Sequence, residues 1–272
     1  MRSELYKLEG AGNDFVLGVG AWARRLESEP GLVRRLCDRR RGIGADGSLS
    51  LERVAIDRVR LGYRNADGGE AVFCANGTRC AARAAVDFLG CDQKLIVETG
   101  WADIPAEVDG SRVSLELPAS TAGPQYPLIA ALEGAAGLRL MAVGVPHLVA
   151  LTEDLENVDL AAIAATLRHH EALGPEGANV NLYEVAADCS VKVRSFERGV
   201  EGETLSCGSG LVAVALIVMA DRKTRDIELV PLSGDRMVVE ALGEPPLCAT
   251  RFTGPTRFVA RIDPSDDLLR DL

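Results

Sequence analysis

GEAVFCANG, residues 69–77, and GETLSCGSG, residues 202–210, repeat one pattern in the two halves of the chain. In each copy, Gly-Glu is followed by three residues, a Cys, a small residue, one further residue and a Gly. An apolar, Ala-rich run typical of a helix comes after each copy, at residues 81–89 and 211–220. Because Cys74 and Cys207 lie about half a chain length apart, the repeat predicts two similar domains rather than a solenoid.

The composition argues against a nucleic-acid or membrane partner. The 272 residues, 47% of them hydrophobic, suffice for one large domain or two of ordinary size. A net charge of −10 disfavours attraction to nucleic acid or to an anionic membrane. The N-terminal segment MRSELYKLEG shows no targeting signal, and the longest apolar run, residues 211–220, is far shorter than a membrane span. We therefore expect a soluble, cytoplasmic protein.

The seven cysteines favour neither a disulfide framework nor a zinc site. Their number is odd, no CxxC pair occurs, and no His follows Cys74 and Cys80 at ligand spacing. Outside the repeat, the cysteines are expected to be small buried hydrophobic residues, and these are Cys37, Cys91, Cys189 and Cys248.

Strand-like stretches outnumber helical ones, which favours an α+β class. Strands are predicted at residues 4–9, 15–19, 48–54, 57–63, 94–99, 111–117, 139–151, 179–186, 189–196, 226–231, 236–242 and 257–262. Helices are predicted at 30–41, 77–89, 159–169 and 208–221.

The best linker by composition is LPASTAGPQYP, Leu117–Pro127, which is rich in Pro, Gly, Ser and Thr. We predict one domain over residues 1–117, carrying Cys74, and a second over 118–251, carrying Cys207. The tail from about 252 to 272 could pack back on the first domain.

GIGADG, residues 42–47, formally matches the dinucleotide-binding pattern GxGxxG. That fingerprint should follow a strand and open a helix, whereas here an Arg-rich run comes before it and the strand-like SLSLERV comes after it. We therefore predict a turn.

Two thiols at helix N-termini suit proton transfer at carbon. Unpaired N–H groups at a helix start favour a thiolate and bind carboxylates well. Two such sites facing each other across a domain cleft could remove a proton from one face of an amino-acid α-carbon and deliver another to the opposite face. Positioned donors and general bases could supply the catalysis, so neither a metal nor pyridoxal phosphate is required.

The motifs around these cysteines resemble those of the diaminopimelate epimerase family along most of the chain. The matching segments, in the family's order, are EGAGNDFV (9–16), RRGIGADG (40–47), RNADGGEAVFCANGTRC (64–80), VGVPH (143–147), GANVN (177–181) and SFERGVEGETLSCGSG (195–210). Proline racemase, of similar fold, carries paired cysteines but not these asparagines or the ERG segment.

The resemblance implies an α+β fold of two similar domains, each a mostly antiparallel barrel-like sheet around a central helix, with the active site in the cleft between them. Cys74 and Cys207 would exchange the roles of base and acid with reaction direction. Backbone N–H groups of Ala75, Asn76, Gly208 and Ser209 would hold the reacting carboxylate, with Asn13 beside it. The far end of the substrate would be recognised by Asn65, Asn179, Glu197 and Arg198. His147 and Glu197 would tune the thiols, and no cofactor is expected.

Each of these residues also has a structural explanation. Asn13, Asn65 and Asn179 could be turn residues. Glu197 and Arg198 could form an exposed ion pair of little energetic value. His147 could be a satisfied core histidine. The ordered series of motifs favours the functional interpretation.

The chain departs from the family's usual pattern at four places. Ala75 stands where Gly is usual, Gly47 where Gln is common, and Val145 where Asn is common. The ERG segment contains one extra residue, assigned to Glu201. These changes bear on the substrate more than on the epimerase chemistry.

Three functions follow for testing. The leading one is a cofactor-independent epimerase that interconverts LL- and meso-diaminopimelate, in lysine and peptidoglycan precursor biosynthesis. The alternatives are a related two-cysteine racemase of another amino acid, such as histidine, and a silent amino-acid-binding protein. The expected partner is a small amino acid, and assembly as a homodimer is left open.

Overall fold

The computed structural model describes residues 4–126 and 135–270. The chain divides into two compact units, which we call unit 1 and unit 2. Unit 1 consists of Met1–Leu115 with Gly254–Leu272, and unit 2 consists of Glu116–Thr253. The strands at residues 112–117 and 250–255 each cross a boundary, and each is described with the unit that holds most of it.

Unit 1 carries the first half of the strands and a long helix. Its strands are β1 (Glu4–Gly10), β2 (Asn13–Val19), β3 (Gly47–Ala55), β4 (Arg58–Asn65), β5 (Lys94–Glu98), β6 (Asp103–Asp109), β7 (Arg112–Leu117) and the C-terminal β17 (Arg257–Ile262). Its helices are α1 (Ala21–Ser28), α2 (Pro30–Cys37), α3 (Ala75–Leu89) and α6 (Asp266–Leu269). Strands β1 to β6 all pack against α3, which is therefore the central helix of the unit.

Unit 2 is built in the same way around a second helix. Its strands are β8 (Thr121–Tyr126), β9 (Ala135–Val143), β10 (Val145–Thr152), β11 (Asn179–Val185), β12 (Val191–Glu197), β13 (Gly202–Thr204), β14 (Asp226–Pro231), β15 (Met237–Ala241) and β16 (Thr250–Pro255). Its helices are α4 (Leu160–Leu167) and α5 (Gly208–Arg222). Helix α5 packs against β9, β10, β11, β12, β14 and β15, so it needs apolar residues on all sides.

The strands of the two units pair in one order. In unit 1, β1–β2, β3–β4, β5–β6 and β6–β7 are antiparallel, and β2–β3 and β4–β5 are parallel. In unit 2, β9–β10, β11–β12, β14–β15 and β15–β16 are antiparallel, and β10–β11 and β12–β14 are parallel. Strand β17 adds antiparallel to β1 as β8 adds to β9. The repeat read from the two cysteine motifs is thus a repeat of topology.

The predicted α+β class is confirmed, and so is the turn at GIGADG. That segment follows helix α2 and leads into strand β3, the reverse of a dinucleotide-binding context. The predicted single strand at 139–151 is wrong, because Gly144, with a φ of 70°, separates two antiparallel strands. The prediction missed α1, α6, β6, β8, β13 and β16, and α2 ends at Cys37 rather than at residue 41.

The predicted linker is also wrong over most of its length. Thr121–Tyr126 form β8, which pairs with β9. The register shifts between Ala122 and Gln125, so Gly123 and Pro124 fall in an irregularity where a missing N–H is tolerated. Pro127 lies outside the described residues.

Across the described ranges, the structure contains no helix of the length and hydrophobicity that a membrane crossing requires.

Candidate active site

Cys74 is the N-cap residue of α3. Its backbone is extended, with φ −146° and ψ 113°, and its Sγ accepts a hydrogen bond from the Gly77 N–H at 3.4 Å. The Cys74 carbonyl accepts from the backbone N–H and side-chain hydroxyl of Thr78, at 2.8 and 2.9 Å. The thiol is half-buried. It therefore lies at the end of a helix where unpaired N–H groups concentrate.

Asn13 lies next to this thiol, and its predicted place beside the reacting carboxylate stays a prediction. Its Nδ2 donates to the Asp46 carboxylate at 2.7 Å, which turns its Oδ1 toward the helix start. There Oδ1 accepts from Cys74 Sγ and from Asn76 Nδ2, both at 3.5 Å. The Asn13 amide therefore links the thiol to the Asp46 loop.

The first turn of α3 lies close against β1 and is buried. Ala75 and Asn76 are 3% and 1% exposed, so this turn is packed inside the unit. A Cβ at Gly10 would come within 3.3 Å of the Asn76 carbonyl, which explains the glycine there. Buried Arg79 donates to Asn76 Oδ1 at 2.6 Å and fixes that side chain. Sequence reasoning missed Arg79, although its spacing of three residues from Asn76 places both on one helix face.

Asn65 is exposed at the end of β4. Its backbone N–H donates to Gly69 and its carbonyl accepts from Gly68, both at 2.9 Å. The residue thus closes the turn that leads toward Cys74, and its predicted role in substrate recognition stays a prediction.

Cys207 occupies the equivalent position at the start of α5, but its environment is different. It is 4% exposed, and Ser209 Oγ lies 3.8 Å from its Sγ. Burial raises the pKa of the Cys207 thiol well above its usual range, and the Glu197 carboxylate, which hydrogen-bonds to it, adds to the rise. Opposing hydrogen bonds from the Gly210 N–H and from Ser209 do not offset this. Cys207 is therefore harder to ionise than its place at a helix terminus alone would predict.

His147 is completely buried on β10, directly beside Asn179 of the parallel strand β11. Its Nδ1 lies 3.4 Å from Asn179 Nδ2 and 3.2 Å from Asn181 Nδ2. Burial, with a contribution from the positive charge of Arg198, lowers the pKa of His147 to about 3. The ring is therefore neutral at physiological pH. Asn181 was missed, although alternation in GANVN puts it on the same face of β11 as Asn179.

Glu197 and Arg198 follow one another at the end of β12 and face different partners. Glu197 Oε1 accepts from the Thr204 hydroxyl at 2.5 Å. The Arg198 backbone N–H donates to Asn179 Oδ1 at 2.7 Å, while its guanidinium lies 3.1 Å from Glu176. Glu176 is mostly exposed, so that ion pair contributes little to stability.

Because the two units share one strand register, each candidate site residue of one unit has a residue at the equivalent position of the other. Phe15 pairs with Gly47 on parallel strands as His147 pairs with Asn179. Continuing the register places Asn65 opposite Gly47 and Glu197 at the matching end of β12. Asn13 and Val145 each open the second strand of a hairpin. The counterparts are therefore Phe15 and His147, Gly47 and Asn179, Asn65 and Glu197, Asn13 and Val145, and Cys74 and Cys207.

Comparison with known proteins bears on these motifs directly. The family model described as "Diaminopimelate epimerase" matches residues 5–115 and 139–258. A diaminopimelate epimerase of Gemmatimonas aurantiaca is 38% identical over 215 residues, covering 78% of this chain and 78% of the relative. One from Aquifex aeolicus is 33% identical over 251 residues, covering 87% and 89%.

The chain belongs to the diaminopimelate epimerase family. It is therefore an enzyme of the isomerase class. A solved structure of a probable proline racemase from Agrobacterium radiobacter shares 14% identity and superposes with a TM-score of 0.72, covering 99% of this chain and 95% of that one. At that identity the likeness concerns the fold alone.

One departure from the family's usual residues has a clear structural setting. A Cβ at Gly47 would lie 2.5 Å from the Arg64 carbonyl and 2.7 Å from the Tyr63 ring. A larger residue at this position would therefore require the backbone or the ring to move. Tyr63 fills the space that a side chain at 47 would need.

The extra residue in the ERG segment also has a defined place in this family member. Glu201 has a φ of 52°, and its carboxylate binds the guanidinium of Arg168 at 2.6 to 3.0 Å. Its Oε1 also accepts from the Gly199 N–H at 3.0 Å. Arg168 is itself 7% exposed. The insertion therefore ties the loop after Arg198 to the end of α4.

Of the cysteines outside the repeat, Cys189 differs from expectation. Cys37, Cys91 and Cys248 are buried as predicted, whereas Cys189 is exposed with a φ of 68°. It lies in the turn between β11 and β12, so it is no core residue. Within residues 4–126 and 135–270, no group of three or more His, Cys, Asp or Glu side chains is placed to hold a metal ion.

Proposed function

We propose that this enzyme interconverts LL- and meso-diaminopimelate by transferring protons through Cys74 and Cys207. The observation that supports this most is the repeat itself: two units of one topology each start the central helix at a Cys. A helix start offers N–H donors for a carboxylate, and the thiol beside them can serve as acid or base.

The proposed reaction moves one proton off the α-carbon and one proton on. The thiolate of one Cys takes the α-proton, and the electron pair left behind spreads into the carboxylate. The thiol of the other Cys then gives its proton to the opposite face of the same carbon. One thiolate and one thiol have thereby exchanged forms, and no other reactant is consumed. The raised pKa of Cys207 favours a protonated thiol there, which would suit Cys207 to donate a proton while Cys74 accepts one.

Backbone N–H groups would stabilise the charge that develops on the carboxylate. The first turns of α3 and α5 supply those of Ala75, Asn76, Gly208 and Ser209. Removing one such donor costs about 2.7–4 kcal/mol in well-studied sites, so four fixed donors make a large contribution. Ala75 retains its N–H and lies in ordinary helical backbone, so its methyl group does not remove this contribution.

The second amino and carboxyl groups of the substrate would be recognised by Asn65, Asn179, Glu197 and Arg198. The Arg198 guanidinium is suited to a carboxylate because its partner Glu176 is an exposed side chain that a ligand can displace. Asn179 Oδ1 is already occupied by the Arg198 N–H, so Asn179 would act mainly by holding Arg198. The product would feed lysine and peptidoglycan precursor biosynthesis.

The test is α-proton exchange in deuterium oxide with separate amino acids. Diaminopimelate should incorporate deuterium and change configuration, and histidine should do neither at a comparable rate. Faster exchange of histidine would assign the chain to a different racemase, an alternative motivated by Gly47 and Val145. If none of the amino acids tested exchanges its α-proton, the result would support a binding protein instead.

A further inference from the structure

His147 has one nitrogen held by two amides and one nitrogen without a partner. Its Nδ1 meets the side-chain amides of Asn179 and Asn181, as described above. Its Nε2 is buried and has no hydrogen-bond partner among the described residues. A buried polar atom without a partner is costly, so it calls for a ligand or a functional explanation.

The orientation of both amides is fixed by backbone groups. Asn181 Nδ2 lies 3.2 Å from the Leu148 carbonyl, which can only accept a hydrogen bond. Asn179 Oδ1 lies 2.7 Å from the Arg198 backbone N–H, which can only donate one. In both side chains the NH₂ group is therefore the end that faces His147. Ser195 supports the same orientation by donating to Asn181 Oδ1 at 2.8 Å.

Two NH₂ donors aimed at one ring nitrogen leave it a single role. Nδ1 must present its lone pair, because a proton there would point at two other donors. In a neutral imidazole the proton then resides on Nε2. His147 is thus an N–H donor on its partnerless side, and it cannot accept a proton there.

We propose that Asn181, together with Asn179, is a positioning residue that locks His147 in the neutral Nε2–H form, so that the ring can act as a hydrogen-bond donor through Nε2 and not as a base. Any role of this donor in catalysis rests on the proposed function. The position of the proton on the ring does not depend on any reaction.

Asn181 also limits how closely the first turn of α5 can pack against β11. A Cβ at Gly210 would lie 2.2 Å from Asn181 Oδ1 and 3.2 Å from Cys207 Sγ. The same amide therefore contacts the helix turn that carries Cys207 and the ring of His147. One side chain fixes both the position of the thiol helix and the protonation site of the imidazole.

The tautomer can be measured by nitrogen NMR on the whole protein, since the chain contains only three histidines. With ¹⁵N-labelled histidine, one ring should show an unprotonated Nδ1 and a protonated Nε2, unchanged between about pH 5 and pH 9. His169 is exposed but has Arg168 and Glu201 beside its ring, so the resonances of His147 are assigned by their loss in a His147→Gln variant. A proton on Nδ1, or a charged ring within that range, would overturn the proposal.

Two variants separate the amide NH₂ from the rest of the network. Asn181→Asp replaces a donor by an acceptor, so the ring should move its proton to Nδ1 or become charged, and kcat should fall at least tenfold. Ser195→Ala removes only the bond behind the amide, so the tautomer should stay as in the wild type. An unchanged tautomer in Asn181→Asp, or a changed one in Ser195→Ala, would contradict the proposed lock.

The two proposals fail separately. An Nε2–H ring in a protein that exchanges no α-proton refutes the epimerase function and leaves the lock intact. An active epimerase with an Nδ1–H ring refutes the lock alone.

Discussion

Replacing Gly210 by Ala should destabilise the protein, although the same change in most helices is stabilising. The new Cβ would lie 2.2 Å from Asn181 Oδ1, roughly 1 Å inside normal contact. Asn181 cannot move aside easily, because it is held by Ser195, His147 and Leu148. Losing two of these bonds costs about 1–3 kcal/mol, and overpacking adds about 1–3 kcal/mol. The usual gain from Gly to Ala in a helix, about 1 kcal/mol, is smaller.

The sum of these terms is a net loss of about 1–5 kcal/mol, so we expect a Tm lower by roughly 2–20 °C. Because the turn that carries Cys207 is displaced, kcat for α-proton exchange should fall by about 10- to 100-fold. Thermal unfolding by circular dichroism and exchange in deuterium oxide measure the two effects.

The matched control is Gly77→Ala, at the same position of the other repeat. Its Cβ would meet Leu49 Cδ2 at 3.1 Å, the end of a flexible side chain, so stability should change by no more than about 1 kcal/mol. A Gly210→Ala protein as stable and as active as wild type would refute the packing argument.

The remaining predictions concern the thiols and the distal end of the substrate. Cys74→Ala and Cys207→Ala should each fold normally and lose epimerisation, and more than about a tenth of the wild-type rate in either, a loss below about 1.4 kcal/mol, contradicts the two-thiol assignment. Glu197→Gln removes the negative charge beside Cys207, so its thiol should ionise at lower pH, which thiolate ultraviolet absorbance reports; an unchanged titration would show that burial alone sets the pKa. Arg198→Met should lower kcat/KM for diaminopimelate at least about tenfold, about 1.4 kcal/mol, and undiminished activity would point to another substrate. Mild oxidant should inactivate the enzyme reversibly by forming a Cys74–Cys207 disulfide, which mass spectrometry would detect. Cys80 is the control, because it is fully buried and burial raises the pKa of its thiol, so it should stay unmodified. Inactive protein without the Cys74–Cys207 link would refute the proposed proximity of the two thiols.

The sequence predicted best what depends on neighbouring residues. A Cys followed by small residues and an Ala-rich run is a local signal, so the starts of α3 and α5 and their repeat could be read directly. The resemblance singled out both Asn13 and Cys74, but their hydrogen bond is a finding of the structure. The turn at GIGADG followed from the strand pattern after it.

What the sequence could not supply depends on long-range packing. The raised pKa of Cys207 comes from burial and from Glu197, ten residues earlier on another strand, whereas a helix start alone predicts the opposite shift. Strand β8 carries Gly and Pro that are typical of a linker, and only its pairing with β9 makes it a strand. Asn181 acquires its importance from three partners on two other strands, which no local pattern reveals.

Because both units repeat one strand order, the chain has the form of a duplicated half whose copies have diverged. Where unit 1 has the phenyl ring of Phe15 and the amide of Asn65, unit 2 has an imidazole and a carboxylate, at His147 and Glu197. Two identical copies would act in the same way on both faces of a carbon, which is suited to the interconversion of two enantiomers. The two forms of the proposed substrate are diastereomers, which differ in shape and need no such equality. On the proposed function, divergence between the copies would remove only a symmetry that the chemistry does not require.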